Sequence, residues 1–285
     1  MKVFEKRSDL VSHLESCGVA PSGFVPTMGA LHSGHITLAE RALNECAVVT
    51  VSIFVNPTQF NDKRDLARYP RTVESDLAML ALVLREDDAV FIPNVEEIYP
   101  EPDTRIFDFG TIDKSMEGQH RAGHFNGVAQ VVSRLFDIVN PDRAYFGQKD
   151  FQQLAIIKEM VRQTGSRVTI VGCPIIRESD GLAMSSRNRL LKPEHRSEAG
   201  IIYKTLQASA ALVVKLGVSE AREFFIREVE GVDGFSVQYF EVVDDIQLVP
   251  VENFTTRITG RDYYICAALY AGEIRLIDNI PISLE

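Results

Sequence analysis

Two histidines, His32 and His35, lie three residues apart in a glycine-containing turn that follows a short apolar run. Apolar residues recur at helical spacing over residues 34–44, so the turn is expected to lead into a helix that carries both imidazoles at its start. The first backbone N–H groups of a helix have no partner within it, and its positive end stabilises a bound anion. That positive end also favours a neutral imidazole, which can donate or transfer a proton. The arrangement predicts a phosphate-binding site.

The glycines of this turn support the same interpretation. Gly29 and Gly34 suit positions where a phosphate approaches the backbone closely or where φ is positive. One alternative is that both histidines are polar surface residues, but the order of strand, glycine turn and H-x-G-H favours an anion site. Another is a zinc pair, which is disfavoured because no third His or Cys follows at ligand spacing.

Two further stretches carry polar groups but leave a structural alternative open. Residues 54–61 end a strand with the amides Asn56, Gln59 and Asn61. Amides recognise hydroxyls and carboxylates without adding charge, although an Asn-Pro turn alone explains the pattern as well. The place of this loop beside the histidine turn favours a substrate site. Residues 121–127 fit an anion site and a structural turn equally.

Two stretches later in the chain could contact phosphate. Lys149 precedes a predicted helix and can act as a point cation on a phosphate group, while Asp150 either caps that helix or accepts a ribose hydroxyl. Ser185, Ser186 and Arg187 place two hydroxyls and a guanidinium in consecutive positions, which suits a phosphate clamp. The alternative for these three residues is a capped loop before the next helix.

The elements that must position these residues alternate between strand and helix in the first part of the chain. This order predicts βαβ units and a parallel, doubly wound α/β sheet of the Rossmann-like class. Ligands of such sheets bind beyond the carboxyl ends of the strands, where the histidine turn and the Asn56 loop both fall. The predicted strands are residues 2–4, 24–25, 47–55, 89–92, 144–146 and 167–172, with 105–109 as a further candidate; the predicted helices are one capped by Ser8 and ended by Gly18, 34–44, 73–85 with Thr72 as cap, 128–139 and 151–161.

The pattern changes near residue 175. Helices are predicted at residues 193–216 and 219–229, followed by strands at 236–243, 262–269 and 273–278, the last two joined as a hairpin at Ala271-Gly272. Helices followed by antiparallel strands are typical of an α+β domain. We therefore predict a Rossmann-like domain at residues 1–175 and a smaller α+β domain at 176–285.

Composition limits the partners. The chain of 285 residues has 30 basic and 40 acidic residues and a net charge of −10, which disfavours nucleic acid and anionic membranes as partners. Its longest apolar run, residues 47–55, is half of what a membrane span needs, and the N-terminus lacks the apolar core of a signal peptide. The four scattered cysteines indicate reduced thiols and a cytoplasmic location.

The H-x-G-H turn followed by M-S-S-R resembles the nucleotidyltransferase superfamily that includes class I aminoacyl-tRNA synthetases, with their HxGH and KMSKS-like motifs. Within it the chain is most similar to the pantothenate synthetase family, over most of its first two-thirds; after Leu191 only residues 275–279 look alike. The resemblance implies ATP-dependent ligation of pantoate and β-alanine through a pantoyl adenylate, with release of AMP and pyrophosphate. It also implies Mg²⁺ and a homodimer, with ATP and pantoate bound by the domain at residues 1–175 and a lid formed by the domain at 176–285.

The resemblance assigns roles to matching residues of this chain. His35 takes a proton-donor role, with His32, Lys149, Ser185, Ser186 and Arg187 as further donors to charge on the phosphates. Gln59 and Gln153 hold pantoate, with Gln59 also near β-alanine, and Asp76 reaches Mg²⁺ through water. Asn56 is our additional candidate for substrate binding. The implied ATP site comprises Met28, Gly29, Ala30, Leu31, His32, Ser33, Gly34, His35, Gly147, Gln148, Lys149, Asp150, Ile176, Met184, Ser185, Ser186 and Arg187.

Three other functions fit parts of the pattern. A nucleotidyltransferase acting on a phosphorylated acceptor calls for extra arginines, whereas the loop at residues 56–61 offers amides. A nucleotide-binding regulatory module requires losses among the reactive side chains, and none is evident at the matched positions. An RNA-handling role is disfavoured by the net charge and the lack of a basic appended domain.

Overall fold

The computed structural model describes residues 1–60, 66–67, 69–254, 257–258 and 260–283. Asn61, the last amide of the predicted substrate loop, lies outside the described residues. The chain divides into two compact units. The first comprises Met1–Phe109, Arg121–Gln148 and Ile156–Pro174, and the second comprises Gly110–His120, Lys149–Ala155 and Ile175–Glu285.

A six-stranded parallel sheet forms the centre of the first unit, in the order β1-β4-β3-β2-β5-β6. The predicted α/β doubly wound class is therefore confirmed. All six positions of β3 are buried, as expected for an apolar strand covered on both faces. The strands are β1 (Lys2–Phe4), β2 (Ser22–Thr27), β3 (Val48–Ile53), β4 (Ala89–Phe91), β5 (Arg143–Gly147) and β6 (Thr169–Cys173).

The order in which the chain adds strands to the sheet reverses between β2 and β5. From β2 the chain proceeds to β3 and β4 on one side, whereas from β5 it proceeds to β6 on the other. Ligands of open parallel sheets bind at the carboxyl ends of the two strands that flank such a switch point. In this unit β2 leads into the histidine turn, and β5 ends at Gly147 and leads into Gln148.

The helices of the chain agree with prediction in most of their positions. Short 3₁₀ turns add Pro57–Gln59 and Ser186–Leu190. The helices are α1 (Arg7–Cys17), α2 (Ser33–Glu45), α3 (Val73–Leu80), α4 (Val95–Ile98), α5 (Met116–His120), α6 (His124–Val139), α7 (Phe151–Thr164), α8 (Pro193–Glu198), α9 (Ile201–Lys215) and α10 (Val218–Glu230).

Two helix starts in the first unit differ from the sequence-based prediction. Ser8 does not cap α1, because the helix already begins at Arg7, whose N–H donates to the Glu97 carboxylate at 2.8 Å. Thr72 does precede α3, but its hydroxyl donates to Asp76 Oδ1 at 3.1 Å and does not cap the helix. At α1 a carboxylate distant in sequence therefore takes the role that local spacing assigned to a hydroxyl.

Helix α3 is also shorter than the predicted 73–85. After Leu80 the N–H of Val83 bonds to the carbonyl three residues back, at 3.1 Å, so the helix tightens and ends. The Asp88 carboxylate then accepts the Arg85 N–H at 2.7 Å and pairs with its guanidinium, which holds the chain in a turn before β4.

The candidate strand at residues 105–109 is wrong, because these residues form no strand in the structure. Their backbone is held by side chains of α6 instead. The N–H of Phe107 donates to Asn126 Oδ1 at 3.0 Å, and the Arg105 carbonyl accepts from the amides of Asn126 and Gln130. Amides of a helix therefore replace the neighbouring strand that the prediction required.

The second unit contains a three-stranded antiparallel sheet in the order β7-β8-β9. Its strands are β7 (Phe235–Asp244), β8 (Tyr263–Ala271) and β9 (Ile274–Pro281), and β8 and β9 form the predicted hairpin around Gly272. Helices α9 and α10 pack with this sheet around a core that includes Leu206, Phe225 and Ile265. The smaller α+β architecture predicted for the C-terminal part is confirmed.

The single helix predicted over residues 193–216 is wrong, since the structure has α8 and α9 with a break at Ala199 and Gly200. At the break the Ile202 N–H bonds to the Ala199 carbonyl, only three residues back, at 3.2 Å. Gly200 lies against another segment, because a Cβ there would be 2.8 Å from the Asp180 carbonyl oxygen. This close approach is a tertiary contact that helical periodicity does not reveal.

Candidate active site

The histidine turn is anchored where β2 ends. The Thr27 hydroxyl donates to the Ser52 carbonyl at 2.7 Å and accepts the Gly29 N–H at 3.1 Å. Gly29 and Ala30 then adopt positive φ, at 78° and 50°. A side chain at Gly29 would be strained, and its Cβ would also lie 3.0 Å from Asp76 Oδ2. The turn therefore needs glycine at this position, as the sequence predicted.

The carboxylate of Asp76 holds this turn from α3. Its Oδ2 accepts the Ala30 N–H at 2.9 Å, and its Oδ1 accepts the Leu31 N–H at 2.8 Å. Asp76 is 1% exposed. Two backbone N–H groups and the Thr72 hydroxyl thus compensate its negative charge in a buried position. Ala30 and Leu31 are fully buried as well, so they shape the turn and offer neither N–H to a ligand.

These contacts bear on the magnesium role implied for Asp76. A buried carboxylate that already accepts three hydrogen bonds is poorly placed to ligate Mg²⁺ directly, whereas the role implied for Asp76 is a contact through one of the waters that this ion keeps. Within the described ranges, no group of three or more His, Cys, Asp and Glu side chains is arranged to hold a metal. The geometry gives Asp76 a structural role in the turn.

The two histidines lie together at the start of α2. Their ring centroids are 4.1 Å apart, and both residues are half-buried. The backbone N–H of His32 donates to Nδ1 of His35 at 3.4 Å. An Nδ1 that accepts this bond leaves Nε2 as the ring nitrogen that can carry a hydrogen and donate it. The ring thus carries an N–H donor at the positive end of a helix.

The amide loop after β3 presents Gln59 and uses Asn56 to support it. Asn56 is 1% exposed; its Nδ2 donates to Gln59 Oε1 at 3.3 Å and to the Gly127 carbonyl at 3.2 Å. Burial raises the pKa of Tyr99, so its phenol keeps the proton that it donates to Asn56 Oδ1 at 3.1 Å. The amide of Asn56 is thus engaged within the protein on both sides.

Gln59 itself is oriented by these contacts. With Oε1 facing Asn56, its Nε2 points to Met28 and donates to Sδ at 2.8 Å. A thioether is a weak acceptor. A carboxylate or hydroxyl of a substrate would be a stronger partner for this N–H. The loop therefore places one neutral donor beside the histidine turn.

Residues 121–127, for which two interpretations were open, support this loop in the structure. His124 is buried, and its Nδ1 lies 2.8 Å from the Gln59 carbonyl oxygen, so this nitrogen donates. Gly127 lets α6 approach the turn, because a Cβ there would be 2.7 Å from the Thr58 carbonyl oxygen. These contacts favour the structural interpretation for both residues.

In the second unit, Lys149 and Asp150 precede α7, and both glutamines of its first turn follow. Gln152 is buried, and its Nε2 donates to the carbonyls of Ile112 and Ser115. Gln153 is half-buried and lies on another face of the helix. Of the two adjacent amides, Gln152 is therefore structural, and Gln153 is the one left to meet a ligand.

A hairpin over residues 176–184 leads to the Ser-Ser-Arg turn, which we define as Ser185, Ser186 and Arg187. The Met184 N–H bonds to the Ile176 carbonyl at 2.9 Å, which closes the hairpin at its base. The Ser185 hydroxyl then accepts the Arg187 N–H at 3.3 Å and caps the 3₁₀ turn, so its own hydrogen stays available to a ligand. Ser186 is buried, whereas Ser185 and Arg187 are half-buried.

Within each unit the structure brings together several predicted residues. The first unit groups Met28, His32, His35 and Gln59 near the end of β2, and the second groups Lys149 with the Ser-Ser-Arg turn through strand β9, as described below. Sequence reasoning missed the supporting role of Asp76, Asn56 and His124. Only the glycines of G-H-F-N-G hinted at the last of these, because close packing needs glycine.

A doubly wound sheet whose switch point bears a histidine-carrying helix start is typical of nucleotide-binding α/β enzymes. That class narrows when the chain is compared with known proteins. It belongs to the pantoate-beta-alanine ligase family, whose model matches residues 2–281. The family and the ligase activity predicted from the sequence motifs are thereby confirmed.

Relatives and solved structures agree over nearly the whole chain. A pantothenate synthetase of Porphyromonas gingivalis is 50% identical over 285 residues, covering 98% of this chain and 99% of the relative. One from Bacteroides thetaiotaomicron is 49% identical over 286 residues, covering 98% of each.

Among solved structures, pantothenate synthetase from Thermus thermophilus has a TM-score of 0.89 and 41% identity over 99% of both chains. Pantoate-beta-alanine ligase from Francisella tularensis has a TM-score of 0.80 and 34% identity, covering 99% of this chain and 97% of that one. The latter was crystallised in complex with "beta-gamma ATP" and β-alanine.

Proposed function

We propose that this chain joins pantoate to β-alanine in two steps. In the first, a pantoate carboxylate oxygen attacks the α-phosphorus of ATP, and pyrophosphate leaves. In the second, the β-alanine amine attacks the carbonyl of the pantoyl adenylate, loses a proton and expels AMP. The Francisella tularensis ligase, complexed with an ATP ligand and β-alanine, supports the same substrates here.

The observation that carries the proposal is the orientation of His35. Its Nδ1 accepts the His32 N–H, so Nε2–H is the donor at the start of α2. In-line attack at phosphorus builds negative charge on the equatorial and leaving oxygens, so a fixed N–H donor stabilises the transition state more than the ground state.

Pantoate is assigned to Gln59 and Gln153. Both amides are neutral, which suits a substrate whose carboxylate must remain nucleophilic, since a tightly paired cation would blunt its attack. Gln59 can exchange its weak bond to the Met28 sulfur for a bond to substrate at little cost. Asn56 acts through Gln59 and is a positioning residue in this scheme.

We assign the binding of the negatively charged phosphates to cations and hydroxyls of the second unit. Lys149 supplies a point charge, Arg187 a planar fork for two phosphate oxygens, and Ser185 and Ser186 supply O–H donors. The proposed lining of the ATP site is completed by Met28, Gly29, Ser33, Gly34, Gly147, Gln148, Asp150, Ile176 and Met184.

Magnesium, a cytoplasmic location and a homodimer are also part of the proposal. Mg²⁺ would screen the triphosphate charge, and it is expected to arrive with the nucleotide, because the Asp76 oxygens are engaged in the turn. The described residues include all four cysteines, and each is a free thiol, which supports the cytoplasm. No helix in the described part of the chain is long and apolar enough to cross a membrane.

The experiment is an assay of AMP release and of ATP–pyrophosphate exchange in which each substrate is omitted in turn. Exchange should require pantoate but not β-alanine, whereas sustained AMP release should require both. Exchange that depends on a phosphorylated acceptor instead would favour the other nucleotidyltransferases. ATP binding without AMP formation would favour a regulatory module.

A further inference from the structure

Residues 275–279 are part of the family resemblance, yet the proposed reaction gives them no role. They lie in β9, one of the two edge strands of the antiparallel sheet. Asp278 and Asn279 are each 4% exposed, and both are polar. Buried polar groups are kept where they make specific hydrogen bonds, so the partners of these two residues indicate what they do.

Asp278 binds Arg177 with both carboxylate oxygens. Arg177 Nη1 lies 2.6 Å from Oδ2 and Nη2 lies 3.0 Å from Oδ1, and the guanidinium stacks on Tyr203 with Cζ 3.7 Å from the ring centroid. A buried ion pair often stabilises a fold no more than apolar residues of the same size do. The pair is therefore more informative about geometry than about stability, because it fixes the Arg177 guanidinium in one orientation.

The fixed guanidinium holds the hairpin that precedes the Ser-Ser-Arg turn. Arg177 Nη1 also donates to the Gly181 carbonyl at 3.0 Å, across the tip of the hairpin. Gly181 has φ of 91°, and a Cβ there would be 2.7 Å from Tyr203, so the tip lies tightly against that ring. At the other end, Asn188 Nδ2 donates to the Ala183 carbonyl at 3.0 Å and ties the Ser-Ser-Arg turn to the hairpin.

The next residue of β9 holds the other proposed phosphate ligand. Asn279 Nδ2 donates to the backbone carbonyl of Lys149 at 3.0 Å. The Asn279 N–H in turn donates to Asp278 Oδ1 at 2.8 Å, so the two side chains are part of one network. Lys149 and Arg187, 38 positions apart in sequence, are thus connected through two consecutive residues of one strand.

We propose that Asp278 and Asn279 are positioning residues for the adenylation step, which set the Ser-Ser-Arg turn and Lys149 at a fixed spacing to receive the phosphates of ATP. The inference rests on the proposed function, since it takes those residues to be phosphate ligands. Neither Asp278 nor Asn279 contacts substrate in this scheme; each acts through the residue that it holds.

The test replaces Asp278 by Asn, which keeps the size of the side chain and removes the charge that orients Arg177. We expect kcat for pantoate-dependent ATP–pyrophosphate exchange to fall about 10- to 100-fold, because misplacing a catalytic group by about 1 Å costs up to that factor. KM for pantoate should stay close to the wild-type value, because the change lies on the phosphate side of the reaction.

Glu117→Gln is the matched control. Glu117 forms a second buried, bidentate ion pair with Arg275 of the same strand, at 2.6 and 2.8 Å, and no proposed phosphate ligand is part of it. We expect both variants to lower the melting temperature but only Asp278→Asn to lower kcat. Equal losses of kcat in the two variants, or wild-type kcat in Asp278→Asn, would overturn the proposal.

Asn279→Ala is the second variant and keeps the test decisive if Asp278→Asn does not fold. It removes the bond to the Lys149 carbonyl and should lower kcat about 10-fold. Wild-type kcat in this variant would overturn the proposal for Asn279. The proposed function fails separately, in the wild-type protein, if pantoate supports no exchange at all.

Discussion

At the scale of single residues, His35 has the most specific proposed role, because it must donate a hydrogen bond from Nε2 to the transition state. The variant His35→Asn keeps an oxygen that can accept the His32 N–H but loses the donor at Nε2. We expect kcat for pyrophosphate exchange to fall about 10²- to 10³-fold, the usual cost of one transition-state donor. His35→Gln, which extends an N–H donor further, should retain more activity. If His35→Asn folds normally and exchanges pyrophosphate at the wild-type rate, His35 loses its assignment.

A variant at Asp76 tests whether its buried carboxylate stabilises the histidine turn or contributes to metal binding. In Asp76→Asn one carboxylate oxygen becomes an NH₂ group facing the N–H of Ala30 or Leu31. Leaving a buried donor unsatisfied costs about 1–3 kcal/mol, so the free energy of unfolding in urea should fall by that amount. A metal role predicts the reverse pattern: unchanged unfolding, with activity restored by higher Mg²⁺.

At the scale of elements, the close contact between α6 and the Pro57–Gln59 turn is the feature most open to test. Gly127→Ala would place a Cβ 2.7 Å from the Thr58 carbonyl oxygen, so the turn must shift. We expect KM for pantoate to rise through Gln59, and unfolding to become easier by about 1–3 kcal/mol.

Gly123→Ala at the start of the same helix is the control for this variant. Gly123 has φ of 79° but open space around its Cβ position, so alanine there adds strain without overlap. Its expected effect is a stability loss of about 1–2 kcal/mol with KM for pantoate unchanged. A raised KM in both variants would argue against a specific contact with the turn.

The elements also show how far sequence reasoning reaches. Strand β3 was predicted because residues 47–55 are nearly all apolar or β-branched, which agrees with the burial of all its positions, and α6 because its apolar residues follow a helical period. Residues 105–109 were mistaken for a strand because their partners are amides of α6, about 20 positions later in the chain. The break at Gly200 depends on the Asp180 carbonyl, which periodicity cannot reveal.

The residues of the candidate site also divide into those that could be predicted from the sequence and those that could not. His32, His35 and the Ser-Ser-Arg turn could be predicted because each is a local motif whose chemistry follows from adjacent residues. The residues that orient them could not, because Asp76 contacts a turn 45 positions away and Asp278 contacts Arg177 at a distance of 101 positions. No local pattern encodes such pairs. The roles of the motif residues remain predictions until variants are measured.

At the scale of the whole molecule, stability should depend on acid pH through Asp103. Its carboxylate lies 2.5 Å from Arg105 Nη2 and 2.9 Å from Arg134 Nε, and the hydrogen bonds from Arg105, followed by those from Arg134, hold its pKa well below the usual range. Because the pKa of Asp103 is lower in the folded than in the unfolded chain, its ion pairs with Arg105 and Arg134 stabilise the fold above about pH 4. This contribution is lost as the pH falls below that value.

Unfolding in urea between pH 5 and pH 2 measures this contribution. Asp103→Asn should be less stable than the wild type at pH 5, and the difference should shrink as the pH falls, because protonation removes the same charge from the wild type. A difference that stays constant over this range would show that the lost contribution is not the ionised carboxylate.

The bond between Gln59 and the sulfur of Met28 has a consequence for oxidative conditions. Peroxide converts a thioether to a sulfoxide, whose oxygen accepts hydrogen bonds far more strongly than sulfur does. In the oxidised protein the Gln59 amide would donate to the sulfoxide oxygen of Met28 and would no longer be available to bind pantoate. We expect peroxide treatment to raise KM for pantoate, reversibly with methionine sulfoxide reductase, and Met28→Leu to lose this sensitivity.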